Sequence, residues 1–557
     1  MKLKYNNRQK FDPIYPDHDE WPVVKLSNNR DQFIEKVAEA TINLIKKQRP
    51  TASSLIQELE TTRHLEKLRL EKSPWEVDPD DEVSFWKKIK TELVEISGQN
   101  KKLKKEDEIL QRIVFRYASE IAGNFKPSYY RFTRNVVTFG FARLLNASQS
   151  KLFSGLFKGD RTLRDKIRIR GYTEQLRTLA KKGTIVMVPT HFSNLDSILI
   201  GWVIHELGLP PFIYGAGLNL FNMRIFAYFM NSVGAYKVDR RKRNLIYLET
   251  LKTYSNLAIE KGCHSLFFPG GTRSRSGMIE KKLKLGLLGT AIDAQLNSFK
   301  NKSDKKVFVV PVNLNYNFVL EAPSLIHQHL ERTGQERYYI ESDEYNTSYK
   351  IMKFLIKFFT KPAEISVTIG RAMDLFGNYV DDDGRSIGKL GQAIDIKDYF
   401  LKNNKISSDK QRDEEYTRLL SQRIVEEYHK FNEVLPSILI AHVGYLLFRK
   451  QFTNLNLYSF LRLSEDELSL DFTEFKNQVN NLVQVLREME DNEKILLAPE
   501  FEKSLDDIVN TGLNNLGMYH AKRPLQLNQE GKIVTQDLNL LYFYHNRLVG
   551  YNLDQYV

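Results

Sequence analysis

The sequence TIVMVPTHFSNLD, residues 184–196, constrains the fold of this chain more than any other segment. Its first six residues are apolar or β-branched, follow a glycine and end in a proline, which predicts a buried strand that stops at the proline. Further apolar residues then recur with a helical period, so a helix should follow with Asp196 in its first turn. Ser193 or Asn194 is the expected cap of that helix. His191 and Asp196 therefore lie at the carboxyl end of a predicted strand.

The pairing of His191 with Asp196 predicts the base of an enzyme site. Residues five apart on a regular helix point about 140° away from each other, so pairing requires His191 to lie on the connecting loop. Asp196 can then accept a hydrogen bond from Nδ1, which fixes the tautomer and leaves Nε2 free to take a proton from a substrate hydroxyl. No protein nucleophile is needed. The alternative is a capped helix preceded by an incidental loop histidine.

The composition predicts a folded chain with an anionic partner. The 557 residues are 42% hydrophobic and 11% aromatic, enough for about two to four domains with packed cores. A formal net charge of +13 favours nucleic acid, a phosphorylated metabolite or an acidic membrane surface as partner. Residues 151–182 carry ten Lys or Arg against three Asp or Glu and lead into the strand before His191. A solvated helix face is the alternative explanation of that run.

Targeting and redox signals predict a chain that is neither exported nor membrane-spanning. The single cysteine, Cys263, excludes an intrachain disulfide and is typical of a reducing compartment. Residues 1–7 have no apolar core like that of a signal peptide, and no stretch reaches the ~18 uninterrupted apolar residues of a spanning helix. The nearest approach, residues 435–448, is predicted to be a buried or interfacial helix.

Periodicity divides the chain into three regions. Helical patterns run from about residue 30 to 147 and return after 396, whereas strand-like runs and helices alternate in between, which predicts an α/β domain. The strand-like runs are 185–188, 212–214, 265–268, 307–312 and 365–369. We therefore expect a helical N-terminal region (1–165), an α/β domain (166–396) and a helical C-terminal region (397–557), with a loop at 381–386. The sequence contains no cluster of metal ligands, no GxxxxGK[ST] phosphate loop and no GxSxG turn.

Residues 129–145 form an amphipathic segment that mixes five aromatic side chains with three arginines. Such a composition fits a helix that lies in a membrane interface. It fits a helix packed on the next domain equally well, so both alternatives remain open.

A glycine turn before two arginines, in FFPGGTRSRSG at residues 267–277, predicts a phosphate site. Glycines let backbone amides approach an anion, and the guanidinium groups of Arg273 and Arg275 can grip phosphate with paired hydrogen bonds. The alternative is a basic hairpin. A second glycine-to-arginine segment, GAYKVDRR at residues 234–241, is weak alone. VVPVN at residues 309–313 is strand-like and suits either a site wall or a plain buried strand.

These segments, in this order and spacing, resemble the four motif blocks of the glycerolipid acyltransferase superfamily. The blocks are MVPTHFSNLD, GAYKVDR, FFPGGTRSRSG and VVPVN, and the resemblance covers roughly residues 180–325. The first and third blocks together are specific. Within the superfamily, YGAGLNLF at residues 214–221 and VLPSILIA at residues 434–441 place the resemblance closest to the bacterial glycerol-3-phosphate acyltransferase branch.

The resemblance implies both a fold and an activity. The fold would be α/β, with a central mixed sheet flanked by helices. The activity would transfer a fatty acyl group from acyl-CoA or acyl-carrier protein to the 1-hydroxyl of glycerol 3-phosphate, giving lysophosphatidate in phospholipid synthesis. His191 would be the general base and Asp196 its orienter, without a metal or other cofactor. The enzyme would be cytoplasmic and peripheral on the inner face of the cell membrane, with an anionic membrane surface as partner and no nucleic acid.

The same resemblance assigns acceptor-binding positions and exposes one departure. The family positions linked to acceptor binding are Arg240, Gly271, Arg273 and Pro311, and Ser274 and Arg275 match further positions of the third block. Gly270 stands where the family usually has an acidic residue. A missing carboxylate there should strengthen the local positive field, so phosphate binding is expected to persist. A different acceptor is the other possible consequence.

Three alternatives to glycerol 3-phosphate acylation remain open. Acylation of lysophosphatidate at its 2-hydroxyl would use the same base and phosphate site but needs room for an acyl chain on the acceptor. Dihydroxyacetone phosphate is a third acceptor. From a different class, the chain is a catalytically silent membrane- or nucleic-acid-binding protein that uses its basic surface.

Overall fold

The computed structural model describes residues 11–75, 78–97, 105–128, 130, 167–217, 234–333 and 365–557. The helices in these ranges are α1 Pro22–Asn28, α2 Arg30–Gln48, α3 Ala52–Lys72, α4 Glu82–Ser97, α5 Lys105–Ile121, α6 Thr173–Lys182, α7 Asp196–Glu206, α8 Leu245–Glu260, α9 Leu285–Lys300, α10 Ala322–Thr333, α11 Lys410–Lys430, α12 Pro436–Gln451, α13 Leu457–Phe460, α14 Phe472–Asp491, α15 Leu505–Asn515 and α16 Leu538–His545. The strands are β1 Ile167–Gly171, β2 Gly183–Pro189, β3 Ile213–Gly217, β4 Ala235–Val238, β5 Ser265–Leu266, β6 Lys306–Tyr316, β7 Ile365–Ile369, β8 Tyr379–Val380, β9 Ser386–Ile387, β10 Ala393–Ile394, β11 Leu401–Lys402, β12 Lys405–Ile406, β13 Glu433–Val434, β14 Ser469–Asp471, β15 Leu496–Leu497, β16 Gln526–Leu527 and β17 Lys532–Val534.

A seven-stranded mixed sheet forms the centre of the structure, which confirms the predicted fold class. The strand order is β1-β7-β6-β2-β5-β3-β4. Neighbouring strands are parallel except for β6 and β7, which pair antiparallel. The two strands at one edge, β1 and β7, therefore run opposite to the other five. The five strand-like runs of the sequence coincide with β2, β3, β5, β6 and β7.

The middle strands are apolar on both faces because helices cover both sides of the sheet. In β2, Ile185 and Met187 belong to one hydrophobic cluster, whereas Val186 and Val188 belong to the other. Successive side chains of a strand point to opposite faces, so this alternation shows that both faces are packed. The parallel pairing of β2 with β6 runs as far as Pro189 and Val312. Segments that leave the carboxyl ends of these strands therefore begin at the same edge of the sheet.

The N-terminal helices pack against the β4 edge of the sheet. Helices α2 and α5 both contact α8, and α5 also contacts β4. The shared core includes Val37, Ile113 and Tyr247, together with Tyr236 of β4. The region 1–165 and the α/β region are thus joined by a common hydrophobic cluster. Their boundary, and the one at residue 396, stay predictions.

The C-terminal region is built around a buried helix, as predicted for residues 435–448. Helix α12 is buried on nearly every side and contacts α14, α15 and α16. The predicted loop at 381–386 connects β8 to β9, with Ser386 in β9. The region also contains strands of two or three residues, including the β14, β17 and β16 sheet, which helical periodicity does not signal.

Some predicted features lie outside the described residues. These are the amphipathic segment 129–145 except for Tyr130, the first part of the basic run, residues 151–166, and residues 218–221 of the YGAGLNLF segment. Among the described residues, no helix combines the length and the apolarity needed to cross a membrane.

Candidate active site

His191 and Asp196 meet at the carboxyl end of β2. His191 lies on the loop between β2 and α7, and Asp196 is the first residue of α7. The Nδ1 atom of His191 is 2.7 Å from Oδ2 of Asp196. The structure therefore contains the imidazole–carboxylate pair that a general base requires.

Asp196 is held by donors from several directions. The carboxyl group is fully buried and accepts hydrogen bonds from the backbone N–H groups of Phe192, at 2.6 Å, and Ser193, at 2.9 Å. The hydroxyl of Tyr316 donates to its other oxygen. The hydrogen bond between Nδ1 of His191 and Oδ2 of Asp196 assigns the ring proton to Nδ1, so Nε2 is a hydrogen-bond acceptor.

The third motif block and Glu280 together fix the ring and backbone of His191. The imidazole stacks on Phe268, with ring centroids 4.1 Å apart and an interplanar angle of 24°. The His191 carbonyl accepts a hydrogen bond from the Ser274 N–H at 2.8 Å, and its own N–H donates to Oε1 of Glu280 at 3.0 Å. The loop that carries the base is thus held from both its donor and its acceptor side.

Three arginines share a cavity with His191. The cavity has a volume of about 200 Å³. Its described walls are His191, Asn194, Ser197, Tyr214, Gly215, Ala216, Gly217, Arg240, Phe268, Thr272, Arg273, Arg275, Leu325 and Gln328. The arginines that the sequence predicted from two separate blocks therefore lie around one space. Leu325 and Gln328 of α10 were not predicted, because no local pattern connects that helix to the motif blocks.

The arginines form a concentrated positive field. Partial loss of solvent, and then the charges of Arg273 and Arg275, lower the pKa of Arg240. Loss of solvent also lowers the pKa of Arg275, followed by the charges of Arg332 and Arg273. Arg273 lies 3.4 Å from Oε1 of Glu321, so part of its charge is balanced. A bound anion would relieve the remaining repulsion, which makes the cavity suited to a phosphate group.

Gly271, Ser274 and Pro311 are not among the described walls of this cavity. Gly271 has a φ of +78°, a left-handed conformation that glycine adopts without strain, and its N–H closes a turn onto Phe268. Ser274 acts through its backbone, as described above. Pro311 lies within β6 opposite Val188, and its carbonyl accepts a hydrogen bond from Gly370. A direct contact of these three residues with the acceptor stays a prediction.

Glu321 joins the first and third blocks and changes the start of α7. Its carboxylate accepts hydrogen bonds from the Ser193 hydroxyl at 3.0 Å and the Asn194 N–H at 2.9 Å. The prediction that Ser193 or Asn194 caps the helix is wrong, since the cap residue is Leu195 and no side chain caps it. The Ser193 hydroxyl donates to Glu321 and also accepts a hydrogen bond from the Leu195 N–H at 3.2 Å, so it contacts both Glu321 and the residue that precedes the helix.

Adjacent basic side chains on the loop after β4 have different surroundings. Arg240 is exposed in the cavity. Arg241 pairs with Asp239, at 2.8 Å, and with Asp78 of the N-terminal region. Lys242 pairs with Glu120 of α5. The N-terminal helices therefore fix the loop that presents Arg240.

Comparisons with known proteins find acyltransferases that are similar in sequence to part of this chain. The family model described as acyltransferase matches residues 168–315. A curated glycerol-3-phosphate acyltransferase from Aeromonas hydrophila is 32% identical over 229 residues, which cover 41% of this chain and 25% of the relative. One from Pseudomonas aeruginosa is 29% identical over 210 residues, covering 38% of this chain and 22% of the relative. The chain thus matches about a quarter of the length of these curated relatives. The resemblance to the glycerolipid acyltransferases is confirmed.

A solved structure also aligns with part of the chain. It is the 1-acyl-sn-glycerophosphate acyltransferase of Thermotoga maritima, which is 14% identical and covers 54% of this chain and 92% of its own. The TM-score is 0.25, which is too low to support a conclusion about fold or substrate.

Proposed function

We propose that this chain, which carries a domain of the acyltransferase family over residues 168–315, moves a fatty acyl group from an acyl thioester to the 1-hydroxyl of glycerol 3-phosphate. The observation that carries the proposal is the cavity in which His191 faces three arginines. A base that accepts a hydroxyl proton and a cluster that binds phosphate together match an acceptor bearing both groups. The product is lysophosphatidate.

The proposed reaction is a direct attack of the acceptor hydroxyl on the thioester carbonyl. Nε2 of His191 takes the hydroxyl proton as the carbon–oxygen bond forms, and Asp196 stabilises the imidazolium. The tetrahedral intermediate then collapses with cleavage of the carbon–sulfur bond, and His191 returns the proton to the departing thiolate to give the free thiol of the carrier. General-base catalysis of this kind contributes roughly 10²- to 10⁴-fold. No metal or other cofactor enters the proposed steps.

The arginines supply the position of the acceptor. A phosphate held by Arg240, Arg273 and Arg275 places the hydroxyl at the other end of a three-carbon molecule toward His191. The curated relatives in the comparison are glycerol-3-phosphate acyltransferases, which favours glycerol 3-phosphate over lysophosphatidate as the acceptor. Dihydroxyacetone phosphate is the second candidate because it has the same length and phosphate.

An acidic donor carrier and an anionic membrane surface are the proposed partners outside the cavity. Lys281, Lys282 and Lys284 are exposed on the segment that follows the third block. The Lys284 side chain lies beside Gly271, so this positive surface adjoins the glycine turn. Such a surface suits the phosphates of acyl-CoA, an acidic acyl-carrier protein or anionic headgroups. The proposal accordingly places the enzyme at the inner face of the cell membrane.

A panel of donors and acceptors tests the proposal. Palmitoyl-CoA and palmitoyl-acyl-carrier protein would each be offered with glycerol 3-phosphate, lysophosphatidate, dihydroxyacetone phosphate or glycerol, in the presence of lipid, with products identified by mass spectrometry. We expect lysophosphatidate from glycerol 3-phosphate and no product from glycerol, which lacks the phosphate. Product from a different acceptor alone would replace the proposed substrate. No product from any pair, together with salt-sensitive liposome binding, would favour the membrane-binding alternative.

Replacing Arg240 by glutamine should raise the KM for glycerol 3-phosphate more than it changes kcat. A hydrogen bond to a charged group contributes about 1.5–3 kcal/mol, so KM is expected to rise about 10- to 100-fold. Initial-rate kinetics over a range of acceptor concentrations measures the effect. Arg243→Gln is the matched control, because Arg243 is exposed on the same loop and is absent from the described cavity walls. Equal KM values for the two variants would remove Arg240 from the acceptor site.

A further inference from the structure

Gly270 and Glu280 lie next to each other beside the candidate base. A Cβ atom built on Gly270 would lie 3.0 Å from Cγ and 3.1 Å from Oε1 of Glu280. Gly270 is not among the glycines with positive φ, so its backbone conformation does not itself require glycine. A side chain at residue 270 would therefore be in tight contact with the Glu280 carboxylate.

Glu280 is bonded to the backbone of the catalytic loop. Its Oε1 accepts the hydrogen bond from the His191 N–H at 3.0 Å, although the two residues are 89 positions apart. Ser274, in the same block as Gly270, holds the His191 carbonyl. The backbone of His191 is thus fixed by the third block on one side and by Glu280 on the other. A shift of this backbone would move Nε2 relative to the cavity.

The second oxygen of Glu280 lies in a buried, charged environment. Oε2 is shielded from solvent and has no hydrogen-bond partner among the described residues. Burial raises the pKa of Glu280 to about 7, against the opposing effects of the His191 N–H and the Arg547 charge. Arg547 is itself buried and lies over the ring of Phe192, 3.3 Å from its centroid. An unsatisfied carboxylate in such a place is costly, which points to a role beyond packing.

We infer that Glu280 is a positioning residue for His191 and supplies the carboxylate that position 270 lacks, while Gly270 leaves room for it. The inference rests on the proposed function, because Glu280 acts on acyl transfer only through His191. This role of Glu280 would also explain how the site can function with Gly270 at a position where the family usually has an acidic residue. The acidic group is present at the site, but it comes from a different position of the chain.

Single replacements of Glu280 separate positioning from folding. Glu280→Ala removes the acceptor of the His191 N–H, and a misplacement of about 1 Å in a catalytic group can cost roughly 10²-fold in rate. We expect kcat to fall by about that factor, with the KM for glycerol 3-phosphate little changed. Glu280→Gln should recover most of kcat, because its amide oxygen can accept the same hydrogen bond. Glu260→Ala is the control, since Glu260 is a half-buried glutamate with a raised pKa outside the cavity walls.

Moving the carboxylate from position 280 to position 270 tests directly whether Glu280 takes the place of an acidic residue at position 270. Gly270→Glu alone should lower both activity and melting temperature, because it crowds Glu280 and buries a second carboxylate beside it. Combining Gly270→Glu with Glu280→Ala should recover kcat above that of Glu280→Ala. A double variant no faster than Glu280→Ala would overturn the inference, as would a Glu280→Ala enzyme with wild-type kcat.

The outcomes also distinguish this inference from the proposed function. A wild-type protein without acyl transfer would overturn both. Wild-type transfer that is lost in His191→Ala but unchanged in Glu280→Ala would overturn the positioning role and leave the proposed function standing.

Discussion

Replacing His191 by alanine is expected to lower kcat for acyl transfer by roughly 10²- to 10⁴-fold, the contribution of a general base. The fold should persist, because Asp196 keeps the N–H groups of Phe192 and Ser193 and the Tyr316 hydroxyl after the imidazole is removed. Initial rates at saturating substrate and thermal unfolding followed by circular dichroism measure the two effects separately.

A second histidine provides the control for this result. His64 is exposed on α3, and His64→Ala should leave kcat unchanged. If His191→Ala retains wild-type kcat with an unchanged melting temperature, another group must accept the hydroxyl proton. A large loss of melting temperature would instead mean that the imidazole is needed for the fold of the loop.

The parts of the site that the sequence predicted are local in the chain. His191 and Asp196 are five residues apart on a strand, loop and helix whose periodicities are clear, so their meeting follows from the predicted elements. Arg273 and Arg275 likewise follow a glycine turn directly. Parallel strands that end at one edge then bring these segments to a common cavity.

The supporting residues could not be predicted because their contacts are distant in sequence. Tyr316 reaches Asp196 over 120 positions and Glu280 reaches His191 over 89. Arg547 lies in the 3₁₀ helix Asn546–Tyr551, where nothing in the local sequence marks a functional residue. A buried tyrosine or carboxylate needs a polar partner, but the sequence alone does not show which residue that partner is.

The direction of neighbouring strands in the sheet could not be predicted from the sequence either. The apolar runs of β6 and β7 predict two buried strands, yet an apolar run does not encode the direction of its neighbour. The antiparallel pairing of β7 with β6 could therefore not be predicted from the sequence pattern and is known only from the structure. The mixed character of the sheet was expected from the family resemblance and not from the periodicity.

Buried ion pairs connect the N-terminal helices to the loop that carries Arg240, so breaking them is expected to cause a large loss of stability. Arg69 is 5% exposed and binds Glu66 at 2.6 Å, Glu82 at 2.5 Å and Asp78 at 2.8 Å. Removal of one partner from a buried ion pair costs about 3–5 kcal/mol, because the remaining charge stays buried without compensation. Arg69→Met keeps the apolar stem and should lower the free energy of unfolding by about that amount.

The same substitution should also affect the cavity, because Arg69 shares the carboxylates of Asp78 and Glu82 with the loop that presents Arg240. Asp78 also binds Arg241, and Glu82 lies 3.6 Å from Lys242, so both carboxylates hold the loop that presents Arg240. We therefore expect Arg69→Met to raise the KM for glycerol 3-phosphate. The kcat should stay unchanged, because the contacts of His191 are not altered.

Urea titration and acceptor kinetics measure the two consequences of Arg69→Met, with Lys67→Met on the same helix as control. Lys67 forms an exposed pair with Glu71, and such pairs contribute only about 0–1 kcal/mol. If Arg69→Met is as stable as Lys67→Met, the network does not hold the N-terminal helices together. If it is destabilised but binds the acceptor normally, Arg240 is positioned by β4 and α8 without help from those helices.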